Sequence, residues 1–204
     1  MFFQLQNLNR LTNPRLPECC VNCGWWQGYD EGWPESEAEG WNRLAEDSFG
    51  RWGKLAAGDG KLLGMVQYGP AELFTRKLGC GPVDTGSILL TCSMVADASL
   101  ESVRKSLVLA VIAELREQEF QTVEAFCRQV PGVRGNGHLF EQEFLRDCGF
   151  YPVRSGGGMQ LMRLELGGVQ PVKLPSLKSR RRLLERIKRP HPTPVPLAFC
   201  RRSI

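Results

Sequence analysis

Long hydrophobic runs are missing from this sequence. The longest candidate, 107–113, spans seven residues, against the roughly 20 that a bilayer crossing needs. The start, Met1-Phe2-Phe3-Gln4, has no basic segment ahead of an apolar one, so a secretory leader is not expected and a cytoplasmic location is. Histidine is scarce as well, with only His138 and His191 in 204 residues. Two such histidines do not support a Ser/His/Asp arrangement. The composition, 42% apolar and 24% charged, excludes a largely disordered chain. The length suits one hydrophobic core with a tail.

Charge is unevenly spread. The net +4 is the sum of a basic end and an acidic body: residues 173–204 carry ten Lys or Arg and one acid, Glu185, leaving the rest at −5. Seven cations, from Lys178 to Arg189, fall within twelve residues. A basic segment of this kind docks on an acidic body, or contacts nucleic acid non-specifically through counterion release. A homodimer is a further possible partner arrangement.

Eight cysteines are present, Cys19, Cys20, Cys23, Cys80, Cys92, Cys127, Cys148 and Cys200. Without an export signal a disulfide framework is not expected. Cys20-x-x-Cys23 is half of a zinc site, but a structural zinc needs four ligands, usually as two close pairs, and no second pair follows in sequence. No metal is therefore expected, and Cys92 and Cys127 read as small core residues in apolar runs.

Along the chain, 1–34 is broken by Pro14, Pro17, Gly24, Gly28, Gly32 and Pro34, and reads as an irregular Cys- and Trp-rich segment packed on the body. Helical spacing begins at Glu35 with Trp41, Leu44 and Ala45, acids leading. Gly58-Asp59-Gly60 separates two arms of a hairpin, 52–57 and 61–68. The run 87–95 is apolar on both faces, as in a central strand covered on both sides. A deeply apolar helix, 100–118, follows with Leu107, Val111 and Leu115 on one stripe. A short strand at 122–127, a helix at 138–147 capped by Gly149, and a strand pair over 150–154 and 159–166 complete a domain of 35–168. The tail, 169–204, holds a short basic helix at 177–188. The fold class is α+β, a mixed β-sheet flanked by helices with a basic C-terminal tail.

The strand Leu89-Leu90-Thr91-Cys92-Ser93-Met94-Val95-Ala96, the helix from Lys105 to Leu115, the strand Val123-Glu124-Ala125-Phe126 and the run Phe144-Leu145-Arg146-Asp147-Cys148-Gly149-Phe150 together resemble the GNAT superfamily of acyl-CoA-dependent N-acyltransferases. Gly64 to Pro70 is similar to the second arm of that family's hairpin, and Cys20-x-x-Cys23 beside tryptophans to the start of one prokaryotic branch.

The resemblance implies transfer of an acetyl or acyl group from acyl-CoA to an amine of a small molecule or protein. It also implies a diphosphate-binding loop of pattern Gln/Arg-x-x-Gly-x-Gly/Ala between the central strand and the helix, where backbone N–H groups and the helix dipole meet the anion. In this chain the loop registers at 99–104. Contacts to acetyl-CoA are expected from Met94 and Val95 on the strand, from Ser99, Leu100, Glu101, Ser102, Val103 and Arg104 in the loop, and from Lys105. Leu100, Ser102 and Arg104 stand where small residues are wanted and Glu101 adds a negative charge, so the loop is degenerate and acetyl-CoA binding is expected to be weak. The family's proton-donating tyrosine would follow Phe144, where Leu145 stands, and no catalytic residue is named. Two other functions remain open: a catalytically impaired GNAT-fold binding or regulatory protein, and a nucleic-acid-associated protein acting through its tail.

Overall fold

The computed structural model describes residues 2–12, 16–30, 32–129 and 138–167. The expected tail helix, the Gly132–Gly137 loop and the domain boundary at 168 lie outside them. One mixed sheet organises the rest. Its strands are β1 (Gln4–Leu8), β2 (Gly53–Gly58), β3 (Lys61–Pro70), β4 (Ile88–Val95), β5 (Thr122–Arg128), β6 (Phe140–Glu141), β7 (Tyr151–Gly156) and β8 (Met159–Glu165). The order is β1-β2-β3-β4-β5-β8-β7, with β6 pairing β5 off that path. Only β4–β5 and β5–β6 are parallel. The helices are α1 (Glu18–Val21), α2 (Glu35–Phe49), α3 (Glu101–Glu117) and α4 (Gln142–Asp147).

The β4–α3–β5 unit matches the sequence expectation closely. Ile88 and Leu90 of β4 face one side of the sheet and join Val123 and Ala125 of β5 there, against Leu107, Val111 and Leu115 of α3. Leu89 and Phe126 point the other way into a second core with Trp26, Trp52, Leu55 and Phe74. This alternation follows from the two-residue side-chain period of strands. Burying a leucine or valine stabilises by about 1.5–3 kcal/mol, so the fully buried stripe of α3 anchors the helix. The β2–β3 turn places Asp59 at φ 50° and Gly60 at φ 74°, two left-handed residues whose twist matches that of the hairpin.

Two expectations need correction. Residues 1–34 are not all irregular: β1 pairs antiparallel with β2, Leu8 opposite Gly53. Gln-Leu-Gln-Asn-Leu shows little apolar alternation, and the pairing is licensed from the far side. A Cβ at Gly53 would stand 2.4 Å from the Val66 carbonyl and 3.0 Å from Leu8, so only glycine lets the strands approach there. The helix expected over 138–147 shortens to α4, because Phe140 and Glu141 instead extend alongside Cys127 and Arg128.

Candidate functional site

The site begins at an irregularity. Between the pairs Tyr68↔Leu90 and Val66↔Ser93, two residues of β4, Thr91 and Cys92, oppose the single Gln67 of β3. Such a bulge bends its strand and ends regular pairing. Beyond it β4 and β5 part: their register covers only Ile88–Leu90 against Val123–Ala125. The far end of β5 pairs with β6 instead. Among the described residues, Cys92–Val95 therefore have a strand partner only on the β3 side.

On the α3 side of this gap stands Arg104, 8% exposed. Its Nε donates to Ser93 Oγ at 2.9 Å, and its Nη groups reach Glu101 at 3.1 Å and Glu141 at 2.5 Å. Its guanidinium lies 4.1 Å from the Phe144 ring centre. Planar and permanently charged, arginine suits such a bridge. It ties α3, β4 and β6 together and is not aimed at solvent.

The loop expected to cradle a diphosphate is a different object. Residues 98–100 form a 3-10 turn that leads directly into α3. The Asp97 carboxylate accepts the Ser99 N–H at 2.8 Å, so a protein carboxylate takes one amide that an anion would use. Leu100 packs against the core and Val103 is part of it. Glu101 is committed to Arg104, and the Ser102 carbonyl accepts from Ser106. Ser102 is exposed and Lys105 half-buried. Val95 pairs with Gly64. Of the nine expected cofactor residues, Met94 and Val95 border the gap, while 99–105 make a capped helix start without a glycine approach.

On the opposite face is a cavity of about 310 Å³. Trp26, Trp33, Trp41 and Trp52 line it, together with Cys92 and Met94 of the parted strand. The rings hold one another: Trp33–Trp41 centroids are 5.8 Å apart and Trp41–Trp52 6.0 Å, the spacing at which tilted aromatic pairs attract. The Trp41 Nε1 donates to the Leu73 carbonyl at 2.8 Å. Trp33 Nε1 and Trp26 Nε1 are buried without a hydrogen-bond partner, although Trp26 Nε1 has the weakly accepting Cys92 sulfur as a neighbour.

His138 also lines the cavity. Trp25 stacks on its ring at 4.8 Å with the planes 4° apart, and Arg76 lies over the Trp25 ring at 4.2 Å. Burial, then the Arg76 charge, lowers the His138 pKa, which keeps the imidazole neutral at neutral pH. Its Nδ1 is 3.5 Å from Cys92 Sγ and 3.9 Å from Cys23 Sγ. Burial pushes the Cys20 thiol up to about 12, with Cys19 and Cys23 adding to it. It raises Cys92 well above an ordinary thiol. These are protonated thiols, not activated nucleophiles. Among the described residues, no three His, Cys, Asp or Glu are gathered so as to hold a metal ion.

Cys92, which reads from the sequence as a core residue, meets His138 at the cavity. The bulge left no sequence signal. The tryptophan density of 25–52 was the available one. At the expected position of a proton donor, Leu145 is fully buried. The described acids at the front of α2, Glu35, Glu37 and Glu39, do not line the cavity, and Glu37 accepts the Tyr29 hydroxyl. No helix among the described residues is long and apolar enough to cross a membrane.

No protein-family model matches this chain, and no curated protein does. Solved structures do. An N-acetyltransferase from Staphylococcus aureus Mu50 aligns with a TM-score of 0.54 and 12% identity, covering 81% of this chain and 99% of its own. Ribosomal-protein-alanine N-acetyltransferase from Brucella melitensis gives 0.54 and 16%, covering 79% and 99%. The PaiA N-acetyltransferase of Thermoplasma acidophilum, crystallised with coenzyme A, gives 0.51 and 13%, covering 81% and 99%. At such identities the likeness is one of architecture: the chain carries the fold of the GNAT N-acetyltransferases.

Proposed function

We propose that the protein is an N-acyltransferase with weak affinity for its acyl-CoA donor. The observation that carries the reading is that Cys92 and Met94 belong both to the parted stretch of β4 and to the cavity wall. A donor laid along that stretch and an acceptor in the cavity would meet at β4. Acyl-CoA, when bound, supplies an activated thioester and a leaving thiolate.

The residues fit the two ends of that donor unequally. Backbone of Cys92–Val95 without a strand partner toward β5 suits an extended arm bearing amides, which adds to a sheet as a strand would. The nucleotide end meets Asp97 on the Ser99 N–H and Glu101 on the first turn of α3, both opposing an anion. Ser102 and Lys105 are the remaining donors at that end. Arg104 keeps β4 and β6 in position through Ser93 and Glu141, and the tryptophans exclude water from the acceptor side. Leu145, and not a tyrosine, directly follows Phe144, so this chain places no hydroxyl there that would protonate a leaving thiolate. Losing a general acid costs roughly 10²–10⁴ in rate, and slow turnover follows.

Calorimetric titration with acetyl-CoA, beside a thiol-release assay over a panel of amines, tests this. Millimolar to high-micromolar binding with acceptor-dependent thiol release is expected. No binding at millimolar donor would leave the second reading, a GNAT-fold binding protein, which the Asp97 cap favours. A role on nucleic acid would rest on 173–204, outside the described residues. Any mobility shift of random duplex DNA should then vanish near physiological salt and on deletion of those residues.

A further inference from the structure

We propose that the acceptor is a weakly basic aromatic amine, an aniline-type nitrogen on a one- or two-ring frame, held between the indoles of the cavity. The inference rests on the acyl-transfer reading and adds the acceptor's chemistry to it. Two observations on the cavity carry it.

The first is charge. Among the described residues, no Asp, Glu, Lys or Arg lines the space; its polar side chains are Asn42, Gln67, His138 and the cysteines. An alkylamine is an ammonium ion at neutral pH. To enter, it would give up its water with no counter-ion among the described lining residues, which is strongly unfavourable. An aniline nitrogen shares its lone pair with its ring and is unprotonated at neutral pH. It enters uncharged, and no base is needed to make it a nucleophile.

The second is the walls. Trp33, Trp41 and Trp52 present ring surfaces in a linked series, and Trp26 is stacked on Phe126 at 5.9 Å. Flat apolar ligands gain from such surfaces through dispersion and quadrupole contacts. The volume, about 310 Å³, is at the lower end of the range for ligand pockets, which limits the frame to one or two rings.

In the reaction, the amine nitrogen forms the C–N bond to the acyl carbon and the thioester C–S bond breaks. The N–H proton ends on the CoA sulfur, giving the N-aryl amide and the free thiol.

The test compares 4-methoxyaniline with 4-methoxybenzylamine, which share the ring and ether but differ in amine basicity. Each is titrated calorimetrically into the full chain at pH 7, and acetyl-CoA is titrated separately. We expect 4-methoxyaniline to bind at least tenfold more tightly than the benzylamine. The gap should close as the pH is raised and the benzylamine loses its proton. Trp33→Ala, which removes one of the ring surfaces, should weaken 4-methoxyaniline and unsubstituted aniline alike, several-fold. Equal or tighter binding of the benzylamine at pH 7, or no binding of 4-methoxyaniline while acetyl-CoA binds, overturns the inference and spares the acyl-transfer reading. Binding of 4-methoxyaniline without any binding of acetyl-CoA upholds the ligand class and sinks acyl transfer.

Discussion

The two faces of the sheet are built to different standards. On the α3 face, Leu107, Val108, Val111 and Leu115 pack against Leu90, Val123 and Ala125 with almost no exposure. Two polar clusters stand near that face: Glu114 meets Arg51, Lys54 and the Tyr68 hydroxyl, and Arg104 meets Ser93, Glu101 and Glu141. The opposite face encloses a cavity walled by Trp26, Trp33, Trp41 and Trp52. Interiors pack at crystal-like density where stability alone is served. The difference teaches where this chain keeps room for something else.

The contrast is broken most directly by truncation on each face. Leu107→Ala should cost about 2–5 kcal/mol, read as a fall in the urea midpoint at unchanged slope. Cys92→Ala, on the cavity side, should cost less than about 1 kcal/mol, since it removes one sulfur from a wall that already borders a cavity. A comparable loss at both positions would mean that the second face is packed as tightly as the first.

Next in size is Glu114. Burial works against its charge, but Lys54, Arg51 and the Tyr68 hydroxyl outweigh that and lower its pKa. A carboxylate with a depressed folded pKa stabilises above its unfolded pKa, and that contribution is lost as pH falls through the folded value. Glu114→Gln should therefore cost about 1–3 kcal/mol at pH 7. The difference from wild type should shrink as the pH drops below the ordinary carboxylate range, measured by urea unfolding at several pH values. A pH-independent difference would remove the ion pair from the account.

The smallest effect on stability, and the sharpest on function, is expected from Asp97→Asn. Asparagine caps a helix start about as well as aspartate, so stability should stay within about 0.5 kcal/mol. Removing the charge beside the α3 N-terminus should tighten acetyl-CoA several-fold by calorimetry. Unchanged affinity would show that the missing glycines, and not the carboxylate, set the weakness.

How much of this was legible beforehand depended on how local the cause was. The two-sided apolarity of Ile88–Val95 and the stripe through Leu107, Val111 and Leu115 announced the β4–α3–β5 unit. The left-handed turn at Gly149, φ 93°, was equally local. The parting of β4 from β5 was not, because it follows from one extra residue opposite Gln67, and register is a property of two strands. The expected helix from His138 gave way to β6 because β5 offered an open edge at Cys127 and Arg128, a tertiary override of local propensity. Of the site, the lack of glycine at 99–104 was readable from Leu100, Ser102 and Arg104. The bridging role of Arg104 was not, since its partners Ser93 and Glu141 belong to separate strands.

The docking of the N-terminal segment has a kinetic consequence. The β3–β4–α3–β5 core is assembled from stretches that are closer along the chain, whereas β1 must find β2 across a somewhat longer stretch and Trp26 must find Phe126 across a much longer one. Contacts of greater sequence separation form later and more slowly. The α3 face should therefore be structured while the tryptophan wall is still arriving. Indole fluorescence, reporting mainly on Trp25, Trp26, Trp33 and Trp41, should lag behind backbone circular dichroism on refolding. The cavity, on this view, is the last part of the protein to be born.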